Sequence, residues 1–111
     1  MSQEFTVIAV LYPKKGETDK VVNLLNGVAE HVRANEPGTL KYEVNRVTRP
    51  AKDGTEDIVM VERYKDQQSL KIHGSSKEFT AFQKKLGDEG LMRAPMLLKM
   101  VKEAGGFASK L

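Results

Sequence analysis

The sequence predicts an α+β domain built on one four-stranded antiparallel sheet, and three observations carry that expectation. Residues 18–32 repeat apolar side chains at helical spacing. Four runs, at 5–12, 39–48, 57–64 and 94–102, are β-branched, aromatic or alternating and are bounded by turn residues. Asp53-Gly54 lies between the second and third runs, the dipeptide expected of a hairpin. Applied to the order β-α-β-β-α-β, right-handed crossovers give a ferredoxin-like split βαβ with both helices on one face of the sheet.

The first run, Phe5 to Tyr12, is apolar at both parities, as in a strand covered on both faces. Pro13 stops it and Lys14-Lys-Gly16 is the turn. Thr18 is the expected cap of a helix whose core stripe is Val21, Leu24, Leu25, Val28 and Val32. His31, between Glu30 and Arg33, reads as a surface residue. Asn35-Glu-Pro-Gly38 ends the helix, because Pro37 cannot continue it and Gly38 supplies the turn. In the second strand Leu40, Tyr42 and Val44 share a face. In the third, Ile58, Met60, Glu62 and Tyr64 share one face and Val59 and Val61 the other. Gly87-Asp-Glu-Gly90 reads as a loop, and the fourth strand, Ala94 to Lys102, carries Met96, Leu98 and Met100 on one side.

The stretch Glu62 to Phe82 holds the side chains that point to chemistry. Asp66 is the expected N-cap of a short helix on which Leu70 and His73, three apart, share a face. Gly74 and Ser75 break that helix. Ser75-Ser-Lys-Glu78 fits a capping box, and Phe79, Phe82 and Leu86 form the core stripe beyond it. Glu62, Tyr64 and His73 are thereby brought toward one apolar surface.

At 111 residues the chain is one small domain, burying roughly two-thirds of its unfolded surface. A net charge of +3 is mild, and Lys and Glu alternate along the chain, which gives a solvated surface and no phosphate track; nucleic-acid binding is not expected. The absence of cysteine removes disulfides, thiolate metal sites and a Cys nucleophile. The two histidines, 42 residues apart, make no local metal pair. The N-terminal stretch has no basic segment ahead of its apolar run, and no apolar stretch approaches membrane-spanning length, so neither a signal peptide nor a membrane partner is expected.

Residues 1–104 read as the domain and 105–111 as a flexible tail led by Gly105-Gly106. The tail ends Ser109-Lys110-Leu111, the peroxisomal address, so in a eukaryotic host the expected partner is the import receptor and the expected location the peroxisome; otherwise the cytoplasm. The apolar residues at both parities of strands one, three and four leave a second sheet face uncovered within the chain. A bare face of that size calls for a cover, and the economical one is a second copy in a two-fold homodimer.

The long first helix ending in Pro37-Gly38, the following Leu40-x-Tyr42, and the pattern Glu62-x-Tyr64-x-Asp66-x-x-x-Leu70-x-x-His73-x-x-Ser76-x-x-Phe79 resemble the antibiotic biosynthesis monooxygenase domain of the dimeric α+β barrel superfamily. The resemblance spans almost the whole chain. It implies a pocket between sheet and helices, and oxidation of phenols, quinols or anthrone-like compounds by O2 with no metal, flavin or other cofactor. The anthrone-oxidising members often carry Trp where this chain has Tyr64, and the haem-degrading branch places a His at the position of Gln83 and an Asn at that of Ala9; neither is present, which argues against haem as substrate.

Within such a pocket His73 is the candidate general base, because an imidazole titrates near working pH. Glu62 is the candidate to orient it or stabilise its charged form, with Tyr64 and Tyr42 holding a substrate oxygen. Met60, Leu70 and Phe79 supply apolar wall. The expected substrate is a small aromatic or quinone-like molecule. The alternative is a non-catalytic dimeric module, a small-ligand binder or stress-related protein of the same fold; a cavity joining Tyr42, Glu62 and His73 favours the enzyme, and a solidly filled core favours the module.

Overall fold

The computed structural model describes residues 3–110. The elements run β1 (Phe5–Pro13), α1 (Thr18–Asn35), β2 (Thr39–Arg46), β3 (Ile58–Tyr64), α2 (Gln67–Gly74), α3 (Lys77–Asp88) and β4 (Met92–Val101). The strands form one antiparallel sheet in the order β2-β3-β1-β4, a ferredoxin-like α+β fold.

Burial follows the alternation of the central strands. Phe5, Val7, Ala9, Leu11 and Pro13 of β1, and Ile58, Met60, Glu62 and Tyr64 of β3, are all buried. Against them α1 packs Val21, Leu25, Val28 and Val32, and α3 packs Phe82. Each such aliphatic or aromatic side chain contributes about 1.5–3 kcal/mol relative to its exposed state. Ile8, Val10, Val59 and Val61 point the other way and are only half-buried, with Ile8 opposite Val61 and Val10 opposite both Val59 and Leu97. The C-terminal half of β4 is bare on both faces: Leu97, Leu98, Met100 and Val101 are 42–58% exposed.

Several local expectations need correction. The segment after β3 is two helices, as its break at Gly74-Ser75 leads one to expect; α2 runs through Gly74 and ends with Ser75 as its C-cap. The N-cap of α3 is Ser76, whose hydroxyl accepts from the Phe79 amide at 3.1 Å; Ser75 instead donates to the Lys71 carbonyl at 2.8 Å. Thr18 is the first residue of α1 and does not cap it; its hydroxyl donates across the fold to the Glu56 carbonyl at 2.8 Å. Helix α3 runs on through Gly87 to Asp88, shortening the expected loop, and β4 begins earlier, at Met92. A register shift between Thr39 and Lys41 turns Leu40 outward, away from the Tyr42 and Val44 face. Asp66 caps α2 as expected, accepting from the Ser69 amide at 2.8 Å and the Ser69 hydroxyl at 2.7 Å.

Residues 102–110, after β4, are exposed and lie outside helices and strands. Of the terminal tripeptide, Ser109 and Lys110 fall within this segment and Leu111 lies outside the described residues. Among the described residues no helix is long and apolar enough to cross a membrane.

Candidate active site

The cavity lies between the sheet and helices α2 and α3, with a volume of about 190 Å³. Its wall is made by Val7 and Leu11 of β1, Leu25 of α1, Tyr42 of β2, Met60 and Glu62 of β3, Leu70, His73 and Gly74 of α2, Phe79, Phe82 and Gln83 of α3, and Met96 and Leu98 of β4. Tyr42, Met60, Glu62, Leu70, His73 and Phe79 thus meet at one cavity. Tyr64 does not reach its wall. Its ring packs with Phe5, Val7 and Leu70 behind the site, and its hydroxyl donates to Glu62 Oε1 at 2.5 Å.

The carboxylate that touches His73 is Glu36, not Glu62. His73 is 4% exposed, and its Nδ1 lies 2.9 Å from Glu36 Oε1. Glu36 is itself buried, at 5% exposure, as the residue that closes α1. Because Pro37 follows, Glu36 is driven off the helical path (φ −122°, ψ 78°), which carries its side chain inward. Gly38 lets α2 approach, since a Cβ there would lie 2.0 Å from Ser69 Oγ, and its carbonyl accepts from the Lys65 amide at 2.9 Å. Read from the sequence, Glu36 has only a role in ending a helix; the restriction that proline places on the residue before it was the available signal.

Around the imidazole stands a shell of rings. Tyr42 meets it edge-on at 5.1 Å, Phe79 lies at 4.9 Å and Tyr64 at 6.0 Å between centroids. With Nδ1 taken by Glu36, Nε2 is the remaining nitrogen, and it has no hydrogen-bond partner among the described residues. The electrostatics of the surroundings favour neutral phenols. Burial, then the charges of Glu62 and Glu36, push the Tyr42 hydroxyl well above its ordinary range. Burial and the adjacent Glu62 do the same to Tyr64. Both phenols are therefore hydrogen-bond donors at working pH. The Glu62 carboxyl is pushed up by burial, against the opposing pull of the Tyr64 hydroxyl and of His73.

His31, expected at the surface, is half-buried. Its Nε2 stands 3.4 Å from Glu36 Oε2 and 3.2 Å from Glu78 Oε1 of α3, so both histidines of the chain contact the same buried glutamate. Among the described residues no group of three or more His, Asp or Glu side chains is arranged to hold a metal ion.

The fold is shared with many solved structures. A protein from Caulobacter crescentus assigned by name to the antibiotic biosynthesis monooxygenases superposes with a TM-score of 0.77 at 23% identity, over 94% of this chain and 92% of its own. Rv0793 from Mycobacterium tuberculosis matches at 0.73 and 22% identity, over 95% and 99% of the two chains. PA3566 from Pseudomonas aeruginosa matches at 0.75 and 22%, over 95% and 98%. At these identities the likeness is one of fold. No curated protein matches the sequence. The family model for antibiotic biosynthesis monooxygenases matches residues 4–85, from the start of β1 through most of α3 and so through almost the whole cavity wall. The chain therefore belongs to the antibiotic biosynthesis monooxygenase family.

Proposed function

We propose that the protein is a monooxygenase that oxidises a small phenolic, quinol or anthrone-like substrate with O2, drawing all four electrons from the substrate and needing no metal or flavin. One observation carries the reading: a buried imidazole at a cavity wall, held at Nδ1 by a buried carboxylate, with Nε2 unpartnered by protein among the described residues. A cavity of about 190 Å³ is below the range of about 300–1,000 Å³ usual for drug-sized ligands, which favours one or two fused rings.

One imidazole, one carboxylate and one phenol divide the work. Nε2 of His73 takes the substrate hydroxyl proton, and the Glu36 carboxylate stabilises the imidazolium. Tyr42, a neutral donor on the same wall, hydrogen-bonds the substrate oxygen as its charge develops. The anion passes one electron to O2, and the radical pair joins as a carbon–oxygen bond. Loss of the ring hydrogen and cleavage of the O–O bond then release water and leave a quinone: phenol plus O2 gives quinone plus H2O. The apolar wall keeps bulk water from the radical pair. The half-buried second sheet face and the exposed end of β4 support a homodimer as the working unit.

The test is oxygen uptake by pure protein with a panel of phenols, naphthols, quinols and anthrones, comparing wild type with His73→Ala. Loss of roughly 10²–10⁴-fold, the usual worth of a positioned base, is expected. The loss shrinks as pH rises toward the substrate's own pKa, because solvent then supplies the anion. Equal turnover by the two proteins from about pH 6 to 9 overturns the assignment. Tight binding of panel members with no oxygen consumption by wild type favours the non-catalytic ligand-binding module.

A further inference from the structure

We propose that the second sheet face receives a second copy of the chain in one defined orientation. The two-fold axis runs parallel to the strands, so that β2 of each protomer lies over the partner's β4 and Glu43 pairs with the partner's Lys99. This assembly forms whatever reaction the cavity performs.

The strand register lays out what that face displays. Residues paired across antiparallel strands point to the same side of a sheet. Glu43, Val61, Ile8 and Lys99 are successive partners, so they form one row across all four strands on the side away from the helices. The row beside it carries Val59, Val10 and Leu97, and the row on its other side ends in Val101. The centre of the face is therefore aliphatic and half-buried, and its β4 margin is more open, with Leu97 44% and Val101 42% exposed. An apolar centre inside a polar rim is the anatomy of a protein–protein interface.

The charges stand at opposite margins. Arg63, nearer the centre, is matched within the chain by Glu4 at 2.7 Å and by Glu103 at 3.5 Å. Lys99, at the β4 margin, is exposed and has no ion-pair partner among the described residues. Glu43, at the β2 margin, is also exposed and is held only by Lys41, at 3.5 Å. A free cation and a loosely held anion thus end the same row. A two-fold axis along the strands keeps each residue at its height and exchanges the margins, so Glu43 meets the partner's Lys99 at two symmetry-related places. An axis across the strands, centred on that row, sets Glu43 against the partner's Glu43 and Lys99 against the partner's Lys99, which like-charge repulsion disfavours. Stacked sheets lie about 10 Å apart, a gap that a glutamate and a lysine bridge together while the aliphatic side chains fill the centre. Strand β4 also supplies Met96 and Leu98 to the cavity wall, so the partner's β2 margin backs one side of the site.

Sedimentation of the full chain at micromolar concentration tests the orientation. Wild type is expected to be a dimer. Glu43→Lys alone and Lys99→Glu alone each place like charges at both contacts and raise the dimer dissociation constant about tenfold or more. The double variant Glu43→Lys/Lys99→Glu reverses both members of each pair and returns to within about threefold of wild type. Because it carries both substitutions, its recovery also separates lost attraction from lost folding. An equimolar mixture of the two single variants forms a heterodimer for the same reason. A monomeric wild type, single variants that dimerise as tightly as wild type, or a double variant as weak as the singles overturns the inference.

Discussion

Gly38→Ala drives a wedge into the contact that joins Glu36 to His73. A Cβ at position 38 would lie 2.0 Å from Ser69 Oγ and 2.6 Å from Ser69 Cβ. Rotating the hydroxyl gives up its 2.7 Å bond to Asp66 and leaves the second clash, because Cβ is fixed to the backbone. Moving from 2.6 Å to ordinary contact at 3.4 Å requires the Gly38 turn and the first turn of α2 to part by about 0.8 Å. Such overpacking costs about 1–3 kcal/mol. The parting separates the segment that carries Glu36 from the helix that carries His73, so activity falls together with stability. Urea unfolding of the single variants and the pair measures this. Ser69→Gly alone loses about 1 kcal/mol as a helix glycine, with the loss of its hydroxyl's bond to Asp66 in addition. It also removes both clashing atoms, so the double variant is more stable than the sum of the singles by about 1 kcal/mol or more. Gly38→Ala within about 0.5 kcal/mol of wild type, or strict additivity in the pair, refutes the reasoning.

Two further predictions concern charge and assembly. Burial raises the Glu62 carboxyl above its ordinary value of 4.5, so between that value and its folded one the native state holds more protons than the unfolded chain. Stability therefore falls as pH rises through that window, and the penalty persists above it. Glu62→Gln removes the penalty and can keep the Tyr64 hydroxyl's acceptor, so its stability relative to wild type improves as pH rises from 4.5; a difference that stays flat with pH refutes the assignment. Val61→Asp places a charge on the half-buried second sheet face beside Ile8 and should convert a dimer to monomer in sedimentation at micromolar concentration; a monomeric wild type sinks the dimer outright.

Most of the sheet was legible because runs of strand formers bounded by turn residues leave a local mark. They locate the strands, and the Asp53-Gly54 turn fixes the hairpin, but apolar residues at both parities of β1 do not say which face meets the helices. His73 was legible by its spacing from Leu70. Glu36 was not, since a charged residue in a Pro-Gly turn ordinarily sits in water. Its burial depends on a histidine 37 residues further along the chain. His31 was hidden for the same reason: its neighbours Glu30 and Arg33 are exposed, but its partners come from the α1 end and from α3. Tyr64 was misplaced by one layer, because a shared strand face does not say which residues a cavity reaches. The cap at Ser76 rather than Ser75 is a one-residue ambiguity between adjacent serines that sequence alone leaves open.

Placing the key carboxylate just past the end of α1 makes that helix a ruler. Each residue added to or removed from it turns the chain beyond it by about 100° and moves it by about 1.5 Å along the axis. Glu36 closes an 18-residue helix whose stripe from Val21 to Val32 is fixed against the sheet, so the count from Val32 to Glu36 has no slack. A single insertion there would swing the carboxylate off His73 and leave every strand in place. The connection at Arg49–Asp53, by contrast, is exposed and sets no phase for the site, so length can change there at little cost to catalysis. Among natural variants with this site, gaps belong in that connection and the span from His31 to Gly38 should keep its length.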